Sequence, residues 1–317
     1  MINNPIFLAV VVCVGLTVQG QSAENLLSST ESYITNMAAQ GDIADLQAEF
    51  PQETNNWIVP SAFLDRLLTT TNYVVQRKGI RIRHAIFTSD LDLQSAEINC
   101  DTCLCDCRFA QNVNFKESHF SRNLVLKGSH FAGVANFSGI KLNGLMSLES
   151  ATFERDVLLN DSHIGGNLEA QNIHCLGSND FTRAVIGGDL TMLGSTNEGI
   201  VDVRFAKIGG NLEIGAIFKD GFNAVHTIVR GLLGASNVQF TNPTAEVSFN
   251  AVQVDGLANF NNAIFSGPVD FKGARISDQF QASGSQFLNP TNVANFNSMT
   301  VGGHCFFGGA TFSLSSG

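Results

Sequence analysis

The sequence predicts an all-β solenoid behind a small N-terminal α-helical cap, and three observations predict it. From about Ile80 a small residue recurs every eleven positions, with a large apolar residue two places after it. The inward residues come as doublets two apart, which is strand spacing; a helix would set them three and four apart. The phrase IGG(N/D)L also occurs three times, at 164–168, 186–190 and 208–212, each 22 residues after the last. Self-similarity at a fixed period of this length is the mark of a solenoid.

Composition fits such a molecule. The 317 residues are 44% hydrophobic with a mean hydropathy of +0.10, enough to bury a substantial core. Only 15% are charged and the net charge is −10, so the chain has no general attraction for nucleic acid or anionic lipid. Twenty-five Phe against one Trp and two Tyr point to many equivalent buried slots that want an aromatic without a polar tip.

The N-terminus comes first in the chain. Residues 5–18 (PIFLAVVVCVGLTV) are a charge-free apolar run, too short for a comfortable membrane span. Val18 and Gly20 suit cleavage after Gly20, so residues 1–20 read as an export signal. The mature chain is expected in the periplasm, the cell envelope or outside; an uncleaved membrane anchor is the alternative. Cys13 follows Val12, where a lipoprotein signal wants a small residue. Residues 21–78 then differ in composition from the repeats beyond them. Helices are expected over 23–40, 42–50 and 58–69, the last with Pro60 in its first turn and Phe63, Leu64, Leu67 and Leu68 on one face. With Trp57 they would cover the raw edge of the first coil.

The solenoid occupies residues 79–317. Its small slots run Ala85, Ala96, Cys107, Ser118, Ser129, Ile140, Ala151, Ser162, Ile173, Ala184, Ser195 and Ala206, two Ile among them. The large partners begin Phe87, Ile98, Phe109, Phe120, Phe131 and continue to Ile208. After Ala206 the register loosens: Ile217 still fits, 220–231 is ambiguous, and Ser236 to Val252 is five too long, which places a loop at 241–244 (TNPT). Rhythm returns at Val252, Ala263, Ala274 and Ser285. A second insertion falls around 288–292 (LNPTN), before Ala310 and Phe312.

The large centres fall alternately five and six apart, as in Phe109, Phe115, Phe120, Leu126, Phe131 and Phe137. This resembles the pentapeptide-repeat superfamily, whose unit puts a small residue two before a Leu or Phe in a five-residue stride. Here every second stride carries one extra residue. The resemblance implies a right-handed quadrilateral parallel β-helix with four short faces and 22 residues per coil. The stretches NNWIVPSAFLDRLLT and GIRIRHAIFTSDLDLQSAEI are similar to the openings of uncharacterised bacterial members. No GxGxxG and no flavin or nicotinamide motif is present, so no cofactor is expected.

On a 22-residue coil the three IGG stretches stack. Gly165 and Gly166, Gly187 and Gly188, and Gly209 and Gly210 occupy a corner with little side-chain room, where positive φ would be one use for them. Asn167, Asp189 and Asn211 line up along the axis and satisfy turn amides or one another. A phosphate cradle would need a helix after the glycines, and none fits.

Three groups could carry chemistry. Cys100, Cys103, Cys105 and Cys107 crowd NCDTCLCDCRF; Cys107, Cys175 and Cys305 fall on inward slots, leaving Cys100, Cys103 and Cys105 pointing outward near a corner. In an oxidising compartment a disulfide within that trio, or one using Cys107, is expected. CxxCxCxC matches no common zinc spacing, and no metal is expected. His119, Lys141, His163 and Lys207 form an outward column, interrupted by Val185, with His130 and His174 in the equivalent column across the coil. Neighbours one coil apart lie about 5 Å apart, so His119 and His163 are about 10 Å apart. Such a column would bind an anionic partner better below about pH 6.5. Asp90, Asp92, Asp156, Asp161 and Asp202 are the candidate carboxylates, but no cluster recurs at 22, and no triad can be assembled.

The expected role is therefore non-enzymatic: a protein-interaction or structural surface in the cell envelope. A polysaccharide-binding module is the alternative. A topoisomerase-binding DNA mimic, which the family resemblance suggests for an acidic rod, comes third and requires a cytoplasmic protein. Because the chain stops at Gly317 after a complete rung, a homodimer through the C-terminal coil is expected as well.

Overall fold

A computed structural model describes residues 27–288 and 294–313. The export signal lies outside these residues, as does most of the second insertion. The molecule is an all-parallel β-solenoid of about ten coils and four sheets. Sheet 1 has twelve strands, from Ala44–Asp45 to Cys305–Phe306; sheet 2 has eleven, from Ile86–Phe87 to Thr311–Phe312. Sheet 3 has nine, from Leu91–Asp92 to Val269–Asp270, and sheet 4 has ten, from Glu97–Ile98 to Thr300–Val301. The chain visits them in that order, so sheets 3 and 4 adjoin while sheet 4 lies across from sheet 2.

Register is 22 through the first six coils: Lys141 pairs with both His119 and His163, and Phe131 with Phe109 and Phe153. The small slots and their partners point inward, from Ala85 and Phe87 to Ala206 and Ile208, and are almost all fully buried. The phenylalanines stack coil on coil. Phe87, Phe109, Phe131 and Phe153 follow one another with centroids 4.7–4.9 Å apart, and Phe218, Phe240, Phe265, Phe287 and Phe312 continue the column at 4.6–5.2 Å. A dry slot repeated at strand spacing accepts an aromatic face and offers nothing to a hydroxyl, which explains the Phe excess.

The register departs from the sequence reading in two places. Ile217 does not fill the small slot. Ala216 does, with Phe218 as the buried partner, and Lys207 pairs with Ile228, 21 residues on. One residue is missing from this coil, and Ile217 turns to the outer face. The ambiguous stretch then resolves into strands Phe222–Asn223 and Ile228–Val229, with Thr227 as the small residue. The next small slot is Val238, not Ser236, so the TNPT loop adds three residues rather than five, and Ile228 pairs with Gln253. The second insertion also adds three: Arg275 pairs with Thr300.

The cap has less helix than the sequence suggested. Helix α1 (Ser29–Gln40) starts at a Ser28 capping box with Glu31. Over 42–50 the backbone first forms the short strand Ala44–Asp45, paired with Ile82 and Arg83, and then the single turn α2 (Leu46–Glu49) capped by Asp45. Pairing with the open edge of the first coil outweighs helix propensity there. Helix α3 (Ser61–Thr69) buries Phe63, Leu64, Leu67 and Leu68 as its periodicity requires. Pro60 stands just before it as N-cap, not inside it. The Val59 amide donates to the Ile86 carbonyl, and the Trp57 indole donates to Phe50, so the cap closes the first coil through backbone as well as packing.

Candidate functional site

The glycine corner is built from proximity, not from positive φ: none of the six glycines has it. A Cβ on Gly187 would lie 2.2 Å from the Gly165 carbonyl oxygen, and one on Gly209 equally close to that of Gly187. On Gly188 and Gly210 it would meet Asn167 and Asp189 side-chain oxygens at 2.0 and 2.1 Å. Those oxygens are placed by the ladder itself. The Asp189 amide donates to Asn167 Oδ1 (3.0 Å), the Asn211 amide to Asp189 Oδ1 (2.7 Å) and the Leu232 amide to Asn211 Oδ1 (3.0 Å). Each side chain thus satisfies an amide of the next coil at a turn, which is a structural duty.

Left-handed backbone sits elsewhere, at the residue before each small slot except Ala216. His84, Ser95, Asp106, Glu117, Gly128 and Gly139 begin a series at φ of +53° to +68° that recurs every eleven residues. Most positions carry a side chain despite its cost. One is a phenylalanine: Phe205, 49% exposed, with its ring stacked on His226 of the next coil at 5.4 Å. Nothing in the eleven-residue rule singles out this pair, although its place immediately before Ala206 is readable.

The outward column of sheet 4 is Glu97, His119, Lys141, His163, Val185 and Lys207, then Ile228, Gln253 and Arg275. The structure therefore brings His119, Lys141 and His163 into adjoining strands, with Lys207 two strands beyond His163. His119 Nδ1 lies 2.9 Å from Glu97 Oε2, while Lys141, Lys207 and Arg275 make no ion pair with a carboxylate among the described residues. His130 and His174 lie on sheet 2, where His130 Nε2 meets Glu154 at 2.9 Å.

The neighbouring face has the opposite character. The outward column of sheet 3 includes Asp92, Asn114, Asn136, Asp180, Asp202, Asn223 and Asp270. Most of these accept from the amide two residues on, as in Gln94 to Asp92, Thr182 to Asp180 and Lys272 to Asp270. The side chains are fixed as turn acceptors, a duty that Asp and Asn perform equally well. The candidate carboxylates are engaged in the same way. Asp90 Oδ1 accepts from the Asn112 amide and Asp156 Oδ1 from that of Ser178, and Arg204 grips Asp202. Hydrogen bonds from Arg183, aided by its charge, hold the Asp161 carboxyl below its ordinary range.

The cysteines divide into three environments. Cys103 and Cys105 point outward from one strand, Thr102–Cys105, and are joined by a disulfide with Cα atoms 5.6 Å apart. Cys107 and Cys175 are core residues, and burial pushes both thiols up to about 12. Cys100 is not outward but half-buried; burial raises its pKa, and it lines a pocket of about 380 Å³ under the cap with Tyr73, Arg77 and Arg122. Cys305 occupies an inward slot yet is exposed, because it belongs to the last described coil. No group of three or more His, Cys, Asp or Glu side chains able to hold a metal occurs among the described residues, and no helix there is long and apolar enough to cross a membrane.

Comparison with family models, with curated proteins and with solved structures gives no match for this chain.

Proposed function

We propose that the chain is a non-enzymatic, exported β-helix that presents a protein-interaction or structural surface in the cell envelope. The observation that carries this reading is the division of charge between adjoining faces: cations on sheet 4, and Asp and Asn on sheet 3. A parallel ladder stacks like residues at one spacing, so a partner meets rows of charge on a surface already ordered, at little entropic cost. The carboxylates that an enzyme would need are committed to turn amides and arginines, which supports a binding role.

The same proposal includes membership of the pentapeptide-repeat superfamily, supported by the small-x-large stride and the four-sheeted coil. It also includes a homodimer through the last described coil, where Phe306, Phe307 and Phe312 are 37–55% exposed beside an apolar pocket of about 440 Å³. Light scattering at micromolar concentration should then give twice the monomer mass; a monomer contradicts the dimer. A polysaccharide-binding module is the second reading, favoured by the exposed Phe205 ring against which a sugar could stack.

The test uses the chain from Gln21 onward, immobilised against an envelope extract of its source at pH 5.5 and 7.5. One enriched protein is expected, held more firmly at pH 5.5 and lost when His119, Lys141, His163 and Lys207 are all changed to Ala. Equal retention by that variant would refute the face. Glycan retained in place of protein, and released by Phe205→Ala, would favour the second reading.

A further inference from the structure

We propose that Cys103–Cys105 is a thiol–disulfide exchange site whose substrates are external thiols of low molecular weight. The bond joins residues two apart in a single strand. A cross-link stabilises a fold chiefly by closing a loop in the unfolded chain, and the shortest loops contribute least. This strand is already held on both sides, by Ile80–Arg83 in register before it and by Leu124 and Val125 after it. The disulfide connects nothing that the ladder leaves apart, so its placement calls for a chemical explanation.

The surroundings suit exchange. Both sulfurs belong to half-buried, outward side chains that an external thiol can reach. Arg81 pairs with Cys103 and Arg83 with Cys105 in the adjoining strand, so the arginine and cysteine side chains leave the same face of the sheet. Arg83 is held beside Cys105 by Asp106 (2.7 Å), the next residue in sequence, and also meets Asp45 (3.7 Å), while the Arg81 guanidinium donates to the Gly41 carbonyl of the cap. A neighbouring cation favours the thiolate that leaves when the bond opens. Cys107 and Cys175 are deeply buried, and their thiols stay protonated at neutral pH. They do not compete.

In the first step an external thiolate attacks one of the two sulfurs. A mixed S–S bond forms as the Cys103–Cys105 bond breaks, and the electron pair leaves on the other protein sulfur. A second external thiolate then attacks the external sulfur of the mixed disulfide, releasing the remaining protein thiolate and a small-molecule disulfide. Two external thiols are oxidised, the protein pair gains two electrons, and the two thiol protons end on Cys103 and Cys105. The reverse sequence restores the bond.

The experiment takes the oxidised full chain through a series of reduced and oxidised glutathione buffers, with acid quenching, alkylation and peptide mass spectrometry. We expect the Cys103–Cys105 peptide to interconvert between disulfide and dithiol in the folded protein, with a single glutathione adduct as intermediate and Cys107 and Cys175 unmodified. The Cys103→Ser, Cys105→Ser double variant should lose the adduct on that peptide, whatever the exposed Cys305 takes up, and keep its Tm within about 5 °C of the parent. A bond that opens only on unfolding, a different cysteine pairing, or a larger fall in Tm would overturn the proposal.

Discussion

Asn179 and Asn197 show how one residue can serve the fold at a cost. Asn197 takes a large inward slot of sheet 2, and its Oδ1 accepts from Asn179 Nδ2 at 3.0 Å in a fully buried setting. The remaining polar atoms of the pair, Asn179 Oδ1 and Asn197 Nδ2, have no partner. Replacing Asn197 alone by Leu strands the Asn179 amide and should cost about 1–3 kcal/mol. Replacing both, Asn179→Val with Asn197→Leu, should recover stability to the parent level or above. Guanidinium denaturation of the parent and the two variants decides this; a double variant weaker than the single would contradict it. The glycine corner permits a similar comparison. Gly187→Ala puts a Cβ against the Gly165 carbonyl and should cost about 2 kcal/mol or more. Gly273→Ala meets nothing within 4 Å, carries only the penalty of φ +67°, and should cost about 1 kcal/mol. Equal costs would mean that crowding is not what selects glycine at the corner.

Among the elements, the cap responds to pH through Asp45. Burial acts to raise this carboxyl, but hydrogen bonds from His84 and the Ala48 amide, with the charges of His84 and Arg83, outweigh it and the net shift is downward. A depressed folded-state pKa contributes stability that is present above the unfolded value and lost as pH falls through the folded one. The advantage of the parent over Asp45→Asn in Tm should therefore be full at pH 7 and shrink below about pH 4; an unchanged advantage at pH 3 would remove this carboxylate from the account. The same segment shows where sequence reading stops. Local pattern at 42–50 favours helix, and only the open edge of Ile80–Arg83, remote in sequence, draws Ala44 and Asp45 into a strand. The solenoid was legible because each slot imposes the same requirement on its neighbours, as Phe109 and Phe131 do on each other. Ile217 misled because an exposed Ile satisfies an apolar rule as well as a buried one, and Ala216 became visible only through its pairing. In the candidate site the columns could be counted out at 22, whereas the Arg81 and Arg83 flanks of the cysteines needed the register of the strands.

Across the whole molecule the phenylalanine column is interrupted once, where Cys175 and Asn197 stand between Phe153 and Phe218. The exposed Leu176, Leu193, Ile200 and Phe205 fall in the same coils. Solenoid stability is close to a sum of nearest-neighbour interfaces, so this waist should open more readily than the stacks on either side. Amide hydrogen exchange should show faster exchange at His174–Cys175 and Thr196–Asn197 than at His130–Phe131; uniform protection would contradict the prediction. The central claim is that residues 22 apart become neighbours on one face, which turns a sequence period into rows of charge. It is tested most directly by oxidative cross-linking of engineered cysteine pairs, with linkages identified by mass spectrometry. Lys141→Cys with His163→Cys stand on adjoining strands about 4.8 Å apart and should form a disulfide readily. His119→Cys with His163→Cys, two strands apart at about 10 Å, should not. Cross-linking of the second pair, or failure of the first, would mean that the rows do not exist as described.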